Sequence, residues 1–360
     1  MYLHSLRAVQ LRNLVDVDLV LSPQCNLICG PNGSGKTSLL EAIYLLGRAK
    51  SFRSNRLSRL AHFDHSAYAV HAELAHPDKA FKLSARYEKR ELRLTKGEED
   101  VKRSSDLVSL LPLTLVSTDS HKLFSDGPKQ RRKFIDWGVF HVKPPFLEAW
   151  RSYCRALGQR NALLRQGIAS TTLSSWDHEL DRLASDIDTW REEYIQSLQQ
   201  HFLPMLASLV DLPDLSIEYH RGWPERLALS EHLQASKDRD LRLGYTRDGP
   251  HTADLVIKVS GVPAQDCASR GQQKLIISAL HLAQAALFSQ QLDRQCIVLV
   301  DDLPAELDSE RRAYLLQLLN DLNAQVFITA IEAQEVDLSL FSESKVFHVK
   351  QGRVSPSKND

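Results

Sequence analysis

The 360-residue chain has no excess of charge of either sign: 45 Lys and Arg face 45 Asp and Glu. A globally basic surface is thereby excluded, so any site for a polyanion has to be local. Cysteine is scarce, with five residues and no C-x-x-C pair. Cys25 and Cys29 lie four apart without a second ligand pair, so neither a disulfide framework nor a zinc site is expected. Long apolar runs are missing as well. The N-terminal segment MYLHSLRAVQLRNLVDVDL scatters charges among its apolar residues, and no run approaches the ~18 apolar residues of a membrane helix. There is no internal repeat and no low-complexity tract. These absences point to a reduced, cytoplasmic protein with no membrane association.

What is present is a near-average hydrophobic share, 43%, and a length that suggests two lobes. Val15, Val17, Leu19 and Leu21 alternate with Asp16, Asp18 and Val20, which predicts a half-buried strand. Leu27 to Cys29 is a short apolar run ending at a glycine-rich turn. A helix follows, with Leu39, Leu40, Ile43 and Leu46 on one face and Gly47 closing it. Phe81 to Tyr87 and Leu92 to Leu94 predict a polar-tipped hairpin. From Pro128 to Leu209 helix formers dominate, giving two or three helices, with Phe134, Trp137 and Phe140 spaced as a helix core face. Strands return at Leu215–Tyr219 and Ala253–Val259. The last third alternates: a helix over 272–291, a strand over 297–300, a helix over 309–322 and a strand over 325–329. That order argues a parallel sheet. The tail from Ser355 to Asp360 reads as frayed.

Gly30, Pro31, Asn32, Gly33, Ser34, Gly35, Lys36 and Thr37 match G-x-x-x-x-G-K-[ST] at every fixed position. Glycines let backbone N–H groups curl around a β-phosphate, Lys36 reaches the β/γ oxygens, and the Thr37 hydroxyl suits Mg2+. The helix from Lys36 adds its positive N-terminal dipole, with Ser38 in its first turn. The acidic partner follows a buried strand: Ile297 to Val300, then Asp301 and Asp302. Asp301 is placed for the metal and Asp302 to polarise an attacking water. Lys36 and Asp301 are separated by 265 in sequence, far more than in compact nucleotide kinases, so the nucleotide fold is split around an insertion.

Ser269, Arg270, Gly271 and Gln272 open the long helix and could form a second phosphate site; a capped helix start is the plain alternative. Ala305, Glu306, Leu307 and Asp308 stand where such ATPases carry a D-loop. With these motifs assembled, the chain resembles the RecF family, bacterial ATPases of recombinational repair in the SMC-like group of ABC ATPases. The resemblance is carried by Leu11, Arg12 and Asn13, by the phosphate loop, and by Ser51-Phe52-Arg53-Ser54. It continues in Gly127-Pro128-Lys129-Gln130-Arg131-Arg132 with Phe134-Ile135-Asp136, and in Gly249-Pro250-His251 with Asp254. The Ser269–Gln272 signature and Asp301 through Asp308, followed by Arg311, complete it. Departures are Thr118-Asp119 and Asp126 before Gly127, Ala305 in place of a serine, and Asp302 where most ABC ATPases have Glu. No histidine fills the switch position near Thr329, and no Q-loop glutamine precedes the insertion.

The resemblance implies an α/β fold: an ABC-type P-loop ATPase head, a mixed sheet with flanking helices, carrying an inserted, mainly helical second lobe. The corresponding segments are 1–117 with the phosphate loop, 118–265 as the insert, and 266–360 with the signature and the acidic strand. It implies ATP and Mg2+ as ligands, and contacts to ATP from Arg12 and Asn13. It further implies an ATP-dependent homodimer using the signature in trans, weak DNA-dependent ATPase activity, and RecO/RecR-like mediator partners. Single-stranded and gapped or junction DNA would be the target, with roles in recombinase loading, replication restart and SOS induction. Candidate DNA contacts are Arg48, Lys50, Arg53 and Arg56, then Arg131 and Arg132, with a third basic set of Arg151, Arg155, Arg160 and Arg165. Each set could equally be a solvated face or internal ion pairs, and Arg131 and Arg132 could be hinge residues. His251 reads as a turn or lobe-interface residue. Two other classes remain: an SMC-like head with long coils, for which the insert is too short, and a nucleotide-gated adaptor without direct DNA contact.

Overall fold

The computed structural model describes residues 1–75, 80–167, 171–302 and 308–357. The chain forms two compact units: residues 1–120, 208–210 and 274–360, and residues 121–207 with 211–273. In this division Ser269–Gln272 fall with the second unit.

Two six-stranded sheets build the first unit. One is antiparallel, in the order β2-β1-β4-β5-β6-β7. Its strands are β1 (Tyr2–Leu11), β2 (Leu14–Val20), β4 (Tyr68–Ala75), β5 (Phe81–Glu88), β6 (Glu91–Lys96) and β7 (Glu99–Asp100). Leu14, Val17 and Leu19 of β2 face inward, whereas Val15 is 45% exposed, because the inward alternation slips by one residue after the turn. The β5–β6 hairpin turns on Lys89 and Arg90, both at positive φ (52° and 68°), the backbone of a tight primed turn formed here without glycine.

The second sheet runs β15-β14-β3-β13-β12-β8. It comprises β3 (Cys25–Cys29), β8 (Leu113–Val116), β12 (Cys296–Val300), β13 (Ala324–Ala330), β14 (Ser344–Lys350) and β15 (Arg353–Pro356). Its five strands β14, β3, β13, β12 and β8 are mutually parallel, and β15 returns antiparallel on β14. Every residue of β3, β12 and β13 is buried, as the continuous apolar runs require of strands covered on both faces. Ser355 and Pro356, expected in a frayed tail, lie in β15 instead: Ser355 pairs with His348. The helix Lys36–Arg48 extends one residue past Gly47 and is capped by Ala49 in the left-handed conformation. Gly47 is a packing residue there, since a Cβ would sit 2.2 Å from Leu113 Cδ2.

The helix Arg270–Leu292 is long and apolar enough to cross a membrane by composition, with mean hydropathy 1.3 over its best window. Its serines, glutamines and histidine hide this from a search for unbroken apolar runs. Of that window 67% is buried within the protein, the signature of a core helix.

The second unit contains the helices Pro128–Val142, Phe146–Arg165 and Thr171–Leu209, and a three-stranded sheet β11-β10-β9. These strands are β9 (Leu215–His220), β10 (Asp254–Val259) and β11 (Val262–Pro263). Phe134 and Trp137 are buried, as their spacing predicts.

Candidate functional site

The phosphate loop leaves β3 at Gly30, and two features explain why the chain must be glycine here. Gly30 has φ 153°, and a Cβ on it would lie 2.3 Å from the Val349 carbonyl oxygen; Gly35, φ 124°, is pressed against the Asn13 side chain. Lys36 is 7% exposed, and its ammonium donates to the carbonyls of Gly30 (2.6 Å) and Pro31 (3.3 Å).

Arg12 and Asn13 form the β1–β2 turn, whose register pairs Leu11 with Leu14. The turn reaches the loop: Asn13 Nδ2 donates to the Gly33 carbonyl (3.2 Å), and the Ser38 hydroxyl donates to Asn13 Oδ1 (2.8 Å). Arg12 lines the cleft, but its guanidinium grips Glu41 bidentately at 2.7 and 2.9 Å and also donates to the Arg59 carbonyl. Glu41 is fully buried and also accepts from Ser51 Oγ. Ser51 Oγ in turn accepts from the N–H groups of Arg53 and Ser54, which organises the Ser51–Ser54 stretch. A second turn closes the other side: the Gly352 N–H donates to the Ser34 carbonyl, and Gly352 approaches Asn13 too closely for any Cβ. Sequence reasoning missed Glu41 and Gly352. The clue for Glu41 was an acid set among Leu39, Leu40 and Ile43; nothing local marked Gly352.

The acidic strand arrives beside the loop because β13 lies between β3 and β12. Thr37 and Asp301, 264 residues apart, meet with Thr37 Oγ1 donating to Asp301 Oδ1 at 3.1 Å. Thr329 on β13 donates to the same oxygen at 2.8 Å and accepts the Asp302 N–H at 2.7 Å. Thr329 therefore occupies the switch neighbourhood that lacks a histidine, and it ties both aspartates to one hydroxyl. Asp302 has φ 62°, a conformation that costs a non-glycine residue about 1–3 kcal/mol and is held here by its surroundings. Burial pushes the Asp301 carboxyl up from the usual carboxylate range; the Thr329 and Thr37 hydroxyls oppose this, and Asp302 reinforces it.

The cleft holds about 720 Å3, within the ~300–1,000 Å3 of small-molecule sites. Asp302 Oδ1 in this cleft and Ser34 Oγ in the phosphate loop are buried oxygens without a partner. Thr37, Asp301 and Asp302 offer the hard oxygen donors that Mg2+ takes, and the loop N–H groups with Lys36 suit a polyphosphate. The residues present fit both groups. Cys29, adjoining the loop, is a packed thiol: burial and Glu335 push it up to about 11, against a smaller pull from Lys36.

The basic residues separate by role. Arg48 donates to the Leu113 carbonyl inside the first unit, so it is a bracing side chain and not a DNA contact. Arg53 lines the cleft near Asp301. Lys50 and Arg56 are exposed. In the second unit Arg131 is 7% exposed and grips Asp254 bidentately at 2.7 and 2.9 Å, and Arg132 donates to the Ala253 carbonyl. Arg191 binds Asp136 and the Pro250 carbonyl. The Lys129–Asp136 and Gly249–Asp254 stretches thus interlock, with Arg131 and Arg132 engaged inside the unit. Arg160 is fully buried between Asp177 (2.6 Å) and Asp240 (2.8 Å), removing it from the third basic set. His251 is half-buried and pushed down by desolvation; Tyr153 donates to its Nδ1 and its Nε2 donates to the Thr246 carbonyl, a neutral structural ring.

Ser269 caps the helix Arg270–Leu292: the Gln272 N–H donates to Ser269 Oγ, and the Ser269 N–H donates to the Gln272 side chain. Asp308 caps the helix Ser309–Asp321 and pairs with Arg311. Ala305, Glu306 and Leu307 lie outside the described residues.

The family described as RecF/RecN/SMC N terminal domain matches residues 2–355. The DNA replication and repair protein RecF of Shewanella baltica (strain OS155 / ATCC BAA-1091) is 43% identical over 347 residues, covering 96% of each chain. The protein of the same name from Aliivibrio fischeri (strain MJ11) is 42% identical over the same length and coverage. Among solved structures, the recombination mediator protein RecF bound to ATP, of the RecFOR pathway, matches with TM-score 0.85 and 25% identity, over 99% of this chain and 97% of that one. A match of sequence and fold from one end of the chain to the other, joined to a phosphate loop and acidic strand in working register, makes this chain a member of the RecF family.

Proposed function

We propose that the first unit binds ATP with Mg2+ and that the protein acts in the cytoplasm in DNA replication and recombinational repair. The observation that carries this reading is the meeting of Thr37 with Asp301 at 3.1 Å across 264 residues, a contact with no use in a glycine-rich turn that binds nothing. Lys36 would turn its ammonium from the loop carbonyls to the β/γ-phosphate oxygens. Thr37 and Asp301 would hold Mg2+, which when bound would neutralise charge on the phosphates. Asp302 Oδ1, buried and unpartnered, is the acceptor that would orient water for attack, and Thr329 fixes its backbone. A carboxylate one methylene shorter than Glu suits slow turnover, which fits a switch better than a motor.

In this reading two copies close over ATP, with Ser269, Arg270, Gly271 and Gln272 of one copy meeting the nucleotide of the other and Asp308 flanking that junction. Closure grips single-stranded or gapped DNA through local basic surface such as Lys50 and Arg56, and hydrolysis releases it. RecO/RecR-like mediators are the partners that the family relationship suggests. The test is sedimentation with gapped DNA, with and without ATP, for the native chain and Lys36→Ala. ATP-dependent dimerisation and DNA binding by the native chain, both lost in Lys36→Ala, support the reading; identical profiles defeat it. A second reading, a nucleotide-gated adaptor, is favoured by the internal use of Arg48, Arg131 and Arg132. ATP-dependent dimers that ignore DNA at every salt concentration would select it.

A further inference from the structure

We infer that Phe63 is the stacking platform for the purine base of the nucleotide, with His62 beside it. Among the described residues Phe63 is 95% exposed, whereas the next most exposed large apolar side chain, Val20, is 54% exposed. A single exposed apolar residue is ordinary on a protein surface, but this one lines the same cleft as Lys36 and Asp301. Its backbone is not loose. Ala61 bridges Leu11, the His62 N–H donates to the Gln10 carbonyl, the His65 N–H donates to the His62 carbonyl, and the Arg12 N–H donates to the Leu60 carbonyl. The segment is thus pinned to β1 just before the ring and closed by a local turn just after it, and the ring alone is left without packing.

The phosphate-binding groups crowd one part of the cleft: the loop, Lys36, Thr37 and the two aspartates. The non-phosphate part of a nucleotide needs a flat apolar surface and a few polar atoms at its edge. Within this cleft Phe63 supplies the aromatic face. His62 Nδ1, buried without a partner, supplies an edge group for a ring nitrogen or the exocyclic amine. Base-on-aromatic stacking is tolerant of base identity, so the platform selects for a base over bare polyphosphate more than for one purine over another.

This inference rests on the loop being a nucleotide site, and the experiment separates the two. Affinities for ATP and for inorganic tripolyphosphate, each with Mg2+, are measured by calorimetry on the full chain, Phe63→Ala and Phe63→Trp. Phe63→Ala is expected to weaken ATP by roughly tenfold or more and to leave tripolyphosphate within about twofold. Phe63→Trp keeps ATP affinity, and its indole fluorescence is quenched by ATP and not by tripolyphosphate. Equal losses for both ligands, no loss for ATP, or a Phe63→Ala effect confined to self-association overturns the platform while leaving the phosphate site standing. Failure of the native chain to bind either ligand overturns both.

Discussion

The first unit gathers apolar residues into its core and keeps strained backbone and unpartnered oxygens at the phosphate loop, whereas the second runs ion pairs through its interior. In the first, Leu39, Leu40, Ile43, Leu299 and Phe327 pack in one cluster. At its cleft Asp302 keeps a left-handed backbone and an unpaired oxygen. In the second, Arg131, Arg160 and Arg191 are buried and each meets at least one aspartate. An unpaired polar atom in a cleft is held ready for a ligand; a buried cation between two acids is already spent on the fold. Bracing by basic residues also occurs in the first unit, at Arg12 and Arg48, so counting them cannot tell binding from bracing.

The sharpest way to break this contrast is Arg160→Ala. It leaves Asp177 buried without its cation and Asp240 with Arg239 alone, and about 3–5 kcal/mol of stability is expected to go. Urea unfolding followed by helical signal checks it; a loss below ~1 kcal/mol would show that the pair is not structural. A smaller effect is expected at Thr329, whose hydroxyl bonds to both Asp301 and Asp302. Thr329→Val removes both hydroxyl bonds, and hydrolysis should fall about tenfold, in line with the ~1.5–3 kcal/mol of a hydrogen bond to a charged group. ATP affinity should change little, and Thr329→Ser should restore turnover. A fall in ATP affinity equal to the fall in rate would assign Thr329 to binding. The smallest effect is expected for Arg56→Ala. If this exposed residue meets a phosphate, the salt slope of DNA binding should decrease by about 1 with no change in folding. Arg131→Ala should instead reduce stability, because Asp254 is left without its cation. Reversal of these two results would invert the assignment.

The phosphate loop, its helix and the acidic strand were legible because each is a local pattern: glycine spacing, apolar periodicity, and a buried run ending in acids. The parallel order of the second sheet followed from the same alternation. What was not legible depends on distant partners. Asp240 stands 80 residues from Arg160, and Asp254 stands 123 from Arg131. A basic cluster looks alike in sequence whether its acids are beside it or absent. Thr329 was marked only by the histidine that is missing there, and Phe63 lacked any motif because its role follows from exposure beside a cleft.

The placement of β3 has a consequence for how the protein comes into being. Both neighbours of this strand, β13 and β14, begin about 300 residues after it: Val326 and Ser344 each pair with Cys25. During synthesis at ~5–20 residues per second, the strand that launches the phosphate loop therefore waits tens of seconds with neither edge covered. The inserted unit, drawn wholly from residues 121–273, is complete before those neighbours exist. A chain interrupted before β13 would carry the whole phosphate-loop motif in its sequence and no sheet to hold it. Nucleotide binding thus has to wait for strands made near the end of synthesis.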